Sequence, residues 1–491
     1  MAVAPFKWDD AVQWDGPGAI AGSEEILSAD RLERARYAEF LTNYLAAEGK
    51  QRNYVLNLNA EWGAGKTWFI KRWYMELKAH YPTVYIDAWQ QDFSDDPLLT
   101  VISSIIDQLR DATGNKVAIP DGIKSKLLGL LKVGGKLVLK SAIKKAGWED
   151  SDFSVEGEDA DKLVDTLCSN HKERYESIQY LKSEIRQWVE AAVSANLDQL
   201  DGQGRLDYPV FIFIDELDRC RPSYAVEMLE TIKHIFDIKG VVFVLATDTE
   251  QLQHAIKVVY GEGFNASAYL RRFFKRQCTL KEVSKVVFIE NGLDINEASI
   301  GRVFPCFNNV NDFANALSII VETFDMKLRE IEQYLDKLKA IVFNSHECID
   351  AILLSLLLIT KDITPTLYEK LMLQTINFRN QSSIAENNVS HYDEFNLFSM
   401  VSFDIPSIDG KNKYHMEISL VTYLQAFLYA NQNRGLLLSS KSKSTEDLTR
   451  HRIDGFSEST VEVATLAYHL ASHDFTLDDY SDLVELACCL R

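Results

Sequence analysis

Two runs of the chain, VFIFID (Val210–Asp215) and VVFVLATD (Val241–Asp248), are apolar almost throughout and turn polar only at their ends. A strand that is apolar on both faces must be covered on both. A parallel sheet with helices above and below does this. The segments around them fit such a sheet. YVLNLN (Tyr54–Asn59) reads as an alternating strand and TVYIDAW (Thr83–Trp89) as a further one. Helical spacing begins at about Lys66, recurs in DPLLTVISSIIDQLRDA, and covers about Ser223–Phe236. Ahead of the first strand, Asp30–Glu48 has apolar residues at helical spacing, with Asp30 placed as its N-cap. The expectation is an α/β fold with a doubly wound parallel sheet. Past about residue 285 the pattern turns helical, over Phe313–Val342, Asp350–Thr360, Tyr414–Gln432 and Thr460–Leu470.

Between the strand at Tyr54–Asn59 and the helix from Lys66 lies AEWGAGKT, Ala60–Thr67. It fits the eight-residue phosphate-binding loop, with alanine in the first slot, where a small residue is needed as strand turns to loop. Gly63 and Gly65 allow close backbone approach. Successive N–H groups and the following helix N-terminus would cradle phosphates. The stretch Trp62, Gly63, Ala64, Gly65, Lys66, Thr67 and Trp68 is therefore the candidate nucleotide contact. Lys66 would reach the β- and γ-phosphates and the Thr67 hydroxyl would ligate Mg²⁺. FIFIDELDRC (Phe211–Cys220) supplies the complement. Asp215 at the strand end would hold Mg²⁺ through water, and Glu216 would position and deprotonate the attacking water. A glutamate directly after the aspartate favours hydrolysis over binding alone. At the tip of VVFVLATD, Thr247 or Asp248 is the candidate γ-phosphate sensor. The alternative for Asp248 is that it caps the next helix.

Composition sets limits. The chain has 491 residues, 46% of them hydrophobic, enough for more than one domain. Its formal charge of −20 argues against a surface built wholly for nucleic acid. A local exception runs from Lys116 to Lys145, where eight lysines face one acid, Asp121; seven acids follow within Glu149–Asp161. Within it, Lys132, Lys136, Lys140 and Lys144 stand four apart, as on one helix stripe. Residues 123–148 could serve a membrane surface, a protein partner or nucleic acid, or could be a packed helix with solvated lysines. The longest uncharged apolar run, AILLSLLLIT (Ala351–Thr360), is too short to span a bilayer. The start lacks signal-peptide blocks, and the seven cysteines show no CxxC or zinc spacing, so the expected setting is a reducing cytoplasm.

Several stretches together resemble the KAP family of P-loop NTPases, relatives of the STAND and AAA+ ATPases. They are NAEWGAGKTWF, IDAWQQDFSDDPLL, FIDELDRCRP, LATDTEQLQHAI, YLRRFFKRQ and KLREIEQYLDKL. The combination of Trp62 in the loop, AW after the second strand and DxLDRC at the metal strand is specific. The resemblance implies an ATPase sheet over residues 1–285 with a helical insertion at about 112–205. A helical lid (286–345) would follow, and the helical periodicity beyond it points to a mainly helical C-terminal domain (346–491). ATP and Mg²⁺ are the implied cofactors. Asp30, with Arg31 and Leu32, lies where such ATPases grip the base, the alternative being an ordinary capped helix. Arg329, opening the lid helix, resembles the arginine that reaches back to the γ-phosphate. Arg271, Arg272, Lys275 and Arg276 fall near arginines that stabilise transition-state charge. A homo-oligomer acting with a separately encoded effector, in anti-phage defence or mobile-element exclusion, is the expected setting. A nucleic-acid-dependent motor and an ATP-locked scaffold are the alternatives.

Overall fold

The computed structural model describes residues 5–18, 25–93, 97–112, 207–235, 238–281, 283–293, 300–345, 347–373, 397–407, 411–439, 461–473 and 475–489, with a few helical residues between 179 and 190. The basic stretch 116–148 and nearly all of the expected helical insertion lie outside the described residues. The chain divides into two compact units, Met1–Glu282 and Val283–Arg491.

In the first unit, a short antiparallel pair, β1 (Val12–Gln13) and β2 (Ile26–Leu27), precedes α1 (Ala35–Gln51), β3 (Tyr54–Asn59) and α2 (Lys66–Leu77). There follow β4 (Thr83–Asp87), α3 (Pro97–Ala112), β5 (Val210–Asp215), α4 (Pro222–Ile235), β6 (Val241–Thr247), α5 (Thr249–Tyr260), α6 (Ala266–Leu270) and β7 (Arg276–Thr279). Five strands form one parallel sheet in the order β4-β5-β6-β3-β7. This is the expected doubly wound α/β fold. Strand β6 stands between the loop-bearing strand β3 and the acid-bearing strand β5, so both of those reach the sheet's C-terminal edge one strand apart.

The apolar runs divide by side-chain alternation. Val55, Val84, Ile86, Ile212, Ile214, Phe243 and Leu245 join the core under α3, α4 and α5. Tyr54, Leu56, Tyr85, Phe211, Phe213, Val242 and Val244 join the core against α1 and α2. The second face is aromatic: Trp73 meets Phe213 with centroids 5.1 Å apart, and Trp14 meets Tyr85 at 5.2 Å. Each such side chain contributes about 1.5–3 kcal/mol by leaving water. Strand β3 departs from the alternating expectation, because Tyr54 to Leu58 are all buried. Asn57, fully buried, is satisfied by side chains at the end of β6 and the start of α5. It accepts from Thr247 Oγ1 at 2.9 Å and donates to Thr249 Oγ1 at 2.9 Å. At the outer edge of the sheet, the Gln108 amide of α3 accepts from Tyr85 N–H and donates to Tyr85 C=O, both at 2.8 Å.

Helix α1 starts later than its sequence pattern suggests, at Ala35 rather than Asp30. Asp30 still serves it from outside, with Oδ2 accepting from Ala35 N–H at 2.7 Å and Oδ1 from Leu32 N–H at 3.0 Å. The chain between them is a bend held by those bonds.

The second unit contains α7 (Lys285–Leu293), β8 (Val303–Phe304), α8 (Val310–Thr323), α9 (Leu328–Asn344), β9 (Ile349–Asp350), α10 (Ala351–Ile363) and α11 (Pro365–Met372). It continues with β10 (Met400–Pro406), β11 (Lys413–Ser419), α12 (Leu420–Gln432), α13 (Arg434–Ser439), α14 (Val461–Ser472) and α15 (Leu477–Cys488). Two readings need correction. Phe313–Val342 is two helices, not one, broken where Asp325 takes a positive φ of 48°. Tyr414–Gln432 is not wholly helical: Lys413–Ser419 pairs antiparallel with Met400–Pro406, and Ser419 then caps α12 by accepting from Thr422 N–H. Helix α10 is buried from Ala351 to Thr360, which accounts for its uninterrupted apolar run. Among the described residues, no helix is long and apolar enough to cross a membrane.

Candidate nucleotide site

The loop leaves β3 at Asn59 and enters α2 at Lys66. Gly63 (φ 79°) and Gly65 (φ 78°) both take left-handed backbone, open to glycine at no cost. Ala60, the substitution in the first slot, is buried, and its N–H donates to Thr247 C=O at 3.3 Å. A methyl group thus fits the turn. Lys66 is buried and donates to the loop carbonyls of Ala60 (2.6 Å) and Glu61 (3.2 Å). Its ammonium therefore lies inside the loop, not in solvent. Trp68, one turn into α2, donates its indole N–H to Ser28 C=O at 3.2 Å and sits edge-on to Trp8. Its side chain is committed to the N-terminal segment.

Across β6, the end of β5 brings up the acids. Asp215 is fully buried; burial and the adjacent Glu216 carboxylate push its carboxyl up to about 7. Tyr85 O–H donates to it at 3.3 Å. Asp87, at the end of the next strand and in register with Asp215, is also shifted upward by burial. Glu216 adopts a positive φ of 58°, which a non-glycine residue holds at a cost of about 1–3 kcal/mol. That backbone turns its side chain back to the loop, where Thr67 Oγ1 donates to Glu216 Oε1 at 2.6 Å. The Arg219 guanidinium, three residues on, pairs with the other carboxylate oxygen. Asp218 accepts from the Trp62 indole N–H at 2.6 Å, tying loop and acid strand together a second time.

Other candidates have different surroundings. Asp248 caps α5, accepting from Glu250 N–H (3.1 Å) and Gln251 N–H (3.2 Å), and Thr247 is engaged with Asn57. Lys275 donates to Asn53 C=O at 2.7 Å, where β3 begins, at the sheet end away from the loop. Arg271 and Arg272 are exposed. Arg329 is exposed in the first turn of α9, in the second unit. Sequence reading passed over Arg34. This residue is buried, and its guanidinium donates to Ala64 C=O at 2.8 Å and Gly65 C=O at 3.4 Å. Nothing in the string ERAR distinguishes it from a surface helix cation.

The donor set fits a divalent cation brought in by phosphate oxygens. A buried carboxylate and a hydroxyl converge where a cation's charge would offset the desolvation of Asp215. Among the described residues, no cluster of three or more Asp, Glu, His or Cys could hold a metal by itself.

Sheet order, glycine-lysine loop and paired acids together define a P-loop nucleoside triphosphatase. Residues 34–342 match the KAP family P-loop domain, and the chain belongs to that family. No curated protein matches the chain.

Proposed function

We infer that the chain binds ATP with Mg²⁺ and hydrolyses it, and that the cycle drives assembly or control of a partner effector. The observation that carries the hydrolytic reading is Glu216, a carboxylate directly after the metal-strand aspartate, within hydrogen-bond distance of the loop's Thr67. In this reading the backbone N–H groups of Trp62 to Trp68 hold the phosphates, and the Trp68 side chain takes no part. Lys66 leaves the Ala60 and Glu61 carbonyls for the β- and γ-phosphates. Thr67 directly and Asp215 through water would hold Mg²⁺, which would supply charge to neutralise the triphosphate. Once Thr67 turns away, Glu216 is free to orient a water and take its proton. In this reading Asp30 acts through α1 and Asp248 through the cap of α5.

A homo-oligomer with a separately encoded effector, in anti-phage defence or mobile-element exclusion, extends this reading. It is supported by the absence from the sequence of any recognisable nuclease, protease or deaminase constellation. The Glu216–Arg219 pair favours one alternative, a scaffold that locks on ATP and turns over slowly, because the base is held by a cation.

Nucleotide binding and turnover of Lys66→Ala and Glu216→Gln test the assignment. The first abolishes ATP binding. The second keeps binding and lowers hydrolysis by about 10²–10⁴-fold. Undiminished turnover in Glu216→Gln removes Glu216 as the base, whereas equally slow hydrolysis by wild type and Glu216→Gln selects the scaffold.

A further inference from the structure

We propose that Arg34 is a positioning residue for the phosphate loop: from behind, it fixes the peptide planes whose N–H groups face the nucleotide. The inference rests on the nucleotide-binding reading above. The Ala64 carbonyl belongs to the same peptide as Gly65 N–H, and the Gly65 carbonyl to the same peptide as Lys66 N–H. In a trans peptide, C=O and N–H point in opposite directions. Drawing both carbonyls onto one guanidinium, at 2.8 and 3.4 Å, aims both N–H groups the other way, into the concavity of the loop.

Three further observations support this role. Arg34 is 4% exposed, and burial lowers its affinity for a proton, so its placement costs desolvation. Its Nε is buried with no hydrogen-bond partner, so the fold tolerates an incompletely satisfied cation at this one place behind the loop. The contact is also close: a Cβ on Gly65 would lie 2.7 Å from Arg34 Nη1. Glycine at 65 thus serves the guanidinium behind the loop as well as the left-handed turn. Asp30 completes the device. Its carboxylate holds the start of α1 through Ala35 N–H and lies near enough to support the Arg34 charge. The segment between β2 and α1 therefore acts on the phosphate end of the nucleotide.

A planar two-donor group is required, so lysine is an incomplete replacement. The test is equilibrium binding of a fluorescent ATP analogue with Mg²⁺ to the full chain as wild type, Arg34→Met, Arg34→Lys and Lys66→Ala. Each melting temperature is recorded without nucleotide. The expected result is a loss of affinity of about 10–100-fold in Arg34→Met and a smaller loss in Arg34→Lys, with melting close to wild type. Wild-type affinity in a folded Arg34→Met overturns the inference. If Arg34→Met does not fold, Arg34→Lys decides: reduced affinity at wild-type melting temperature supports positioning, and unchanged affinity assigns Arg34 to folding alone. Failure of the nucleotide reading looks different, because then wild type itself does not bind, or Lys66→Ala binds equally well.

Discussion

A single tryptophan in the phosphate loop carries a structural duty visible only in three dimensions. Trp62 is 49% exposed, yet its indole N–H is the partner of one Asp218 oxygen, and the other oxygen of that carboxylate is buried without a partner. Removing the donor leaves a nearly buried carboxylate with nothing to bond. Trp62→Phe is expected to destabilise the first unit by about 1–3 kcal/mol, measured by denaturant unfolding. Combining it with Asp218→Asn should cost less than the sum of the two, since the pair acts as one contact. Additive effects would show that the bond contributes nothing. The sequence announced Lys66, Thr67, Asp215 and Glu216, because loop chemistry fixes their residue types and spacing. It could not announce Arg34, because a buried guanidinium and a solvated one read alike in a charged helix.

Helices and strands show where pattern reading succeeds and where it slips. Runs apolar on both faces gave the parallel sheet directly, and its strand order brings loop and acids together. Strand β3 reads as alternating because Asn57 and Asn59 interrupt its apolar residues, yet both are bonded to Thr247 or Thr249. Strand β11 is hard to separate from the helix that follows by pattern alone, since YHMEIS runs into LVTYLQ with neither glycine nor proline between them. Helix α10 offers a prediction. Its cap Asp350 is fully buried; it accepts from Leu353 N–H and Tyr423 O–H, while its own N–H donates to Tyr480. Burial pushes its carboxyl up to about 7 from 3.8, with Tyr423, Tyr480 and Cys348 around it. The folded state therefore binds more protons than the unfolded between those values, and stability falls as pH rises from about 4 to about 7. Asp350→Asn keeps an accepting oxygen and removes the charge. It is expected to flatten that slope and to melt higher than wild type at pH 8. A slope unchanged in the variant would assign the pH dependence to other groups.

At the scale of the whole molecule, each unit has its own core, Met1–Glu282 around the sheet and Val283–Arg491 around α10. The loop, Asp215 and Glu216 all belong to the first unit. Mg²⁺-nucleotide at about 100 times its dissociation constant should therefore stabilise that unit by about 2.7 kcal/mol and raise its melting temperature. Lys66→Ala should show no such rise; a rise that persists in the variant would place the ligand elsewhere. The sheet itself ends differently at its two borders. On the β4 side, one glutamine fills the hydrogen-bonding slot that another strand would need. Strands β7 and β3 pair over four residues, and among the described residues β7 has no second neighbour in the sheet. Gln108 thus behaves as a chain stopper for β-structure: a foreign strand, native or aberrant, would have to displace it from Tyr85 before pairing along β4.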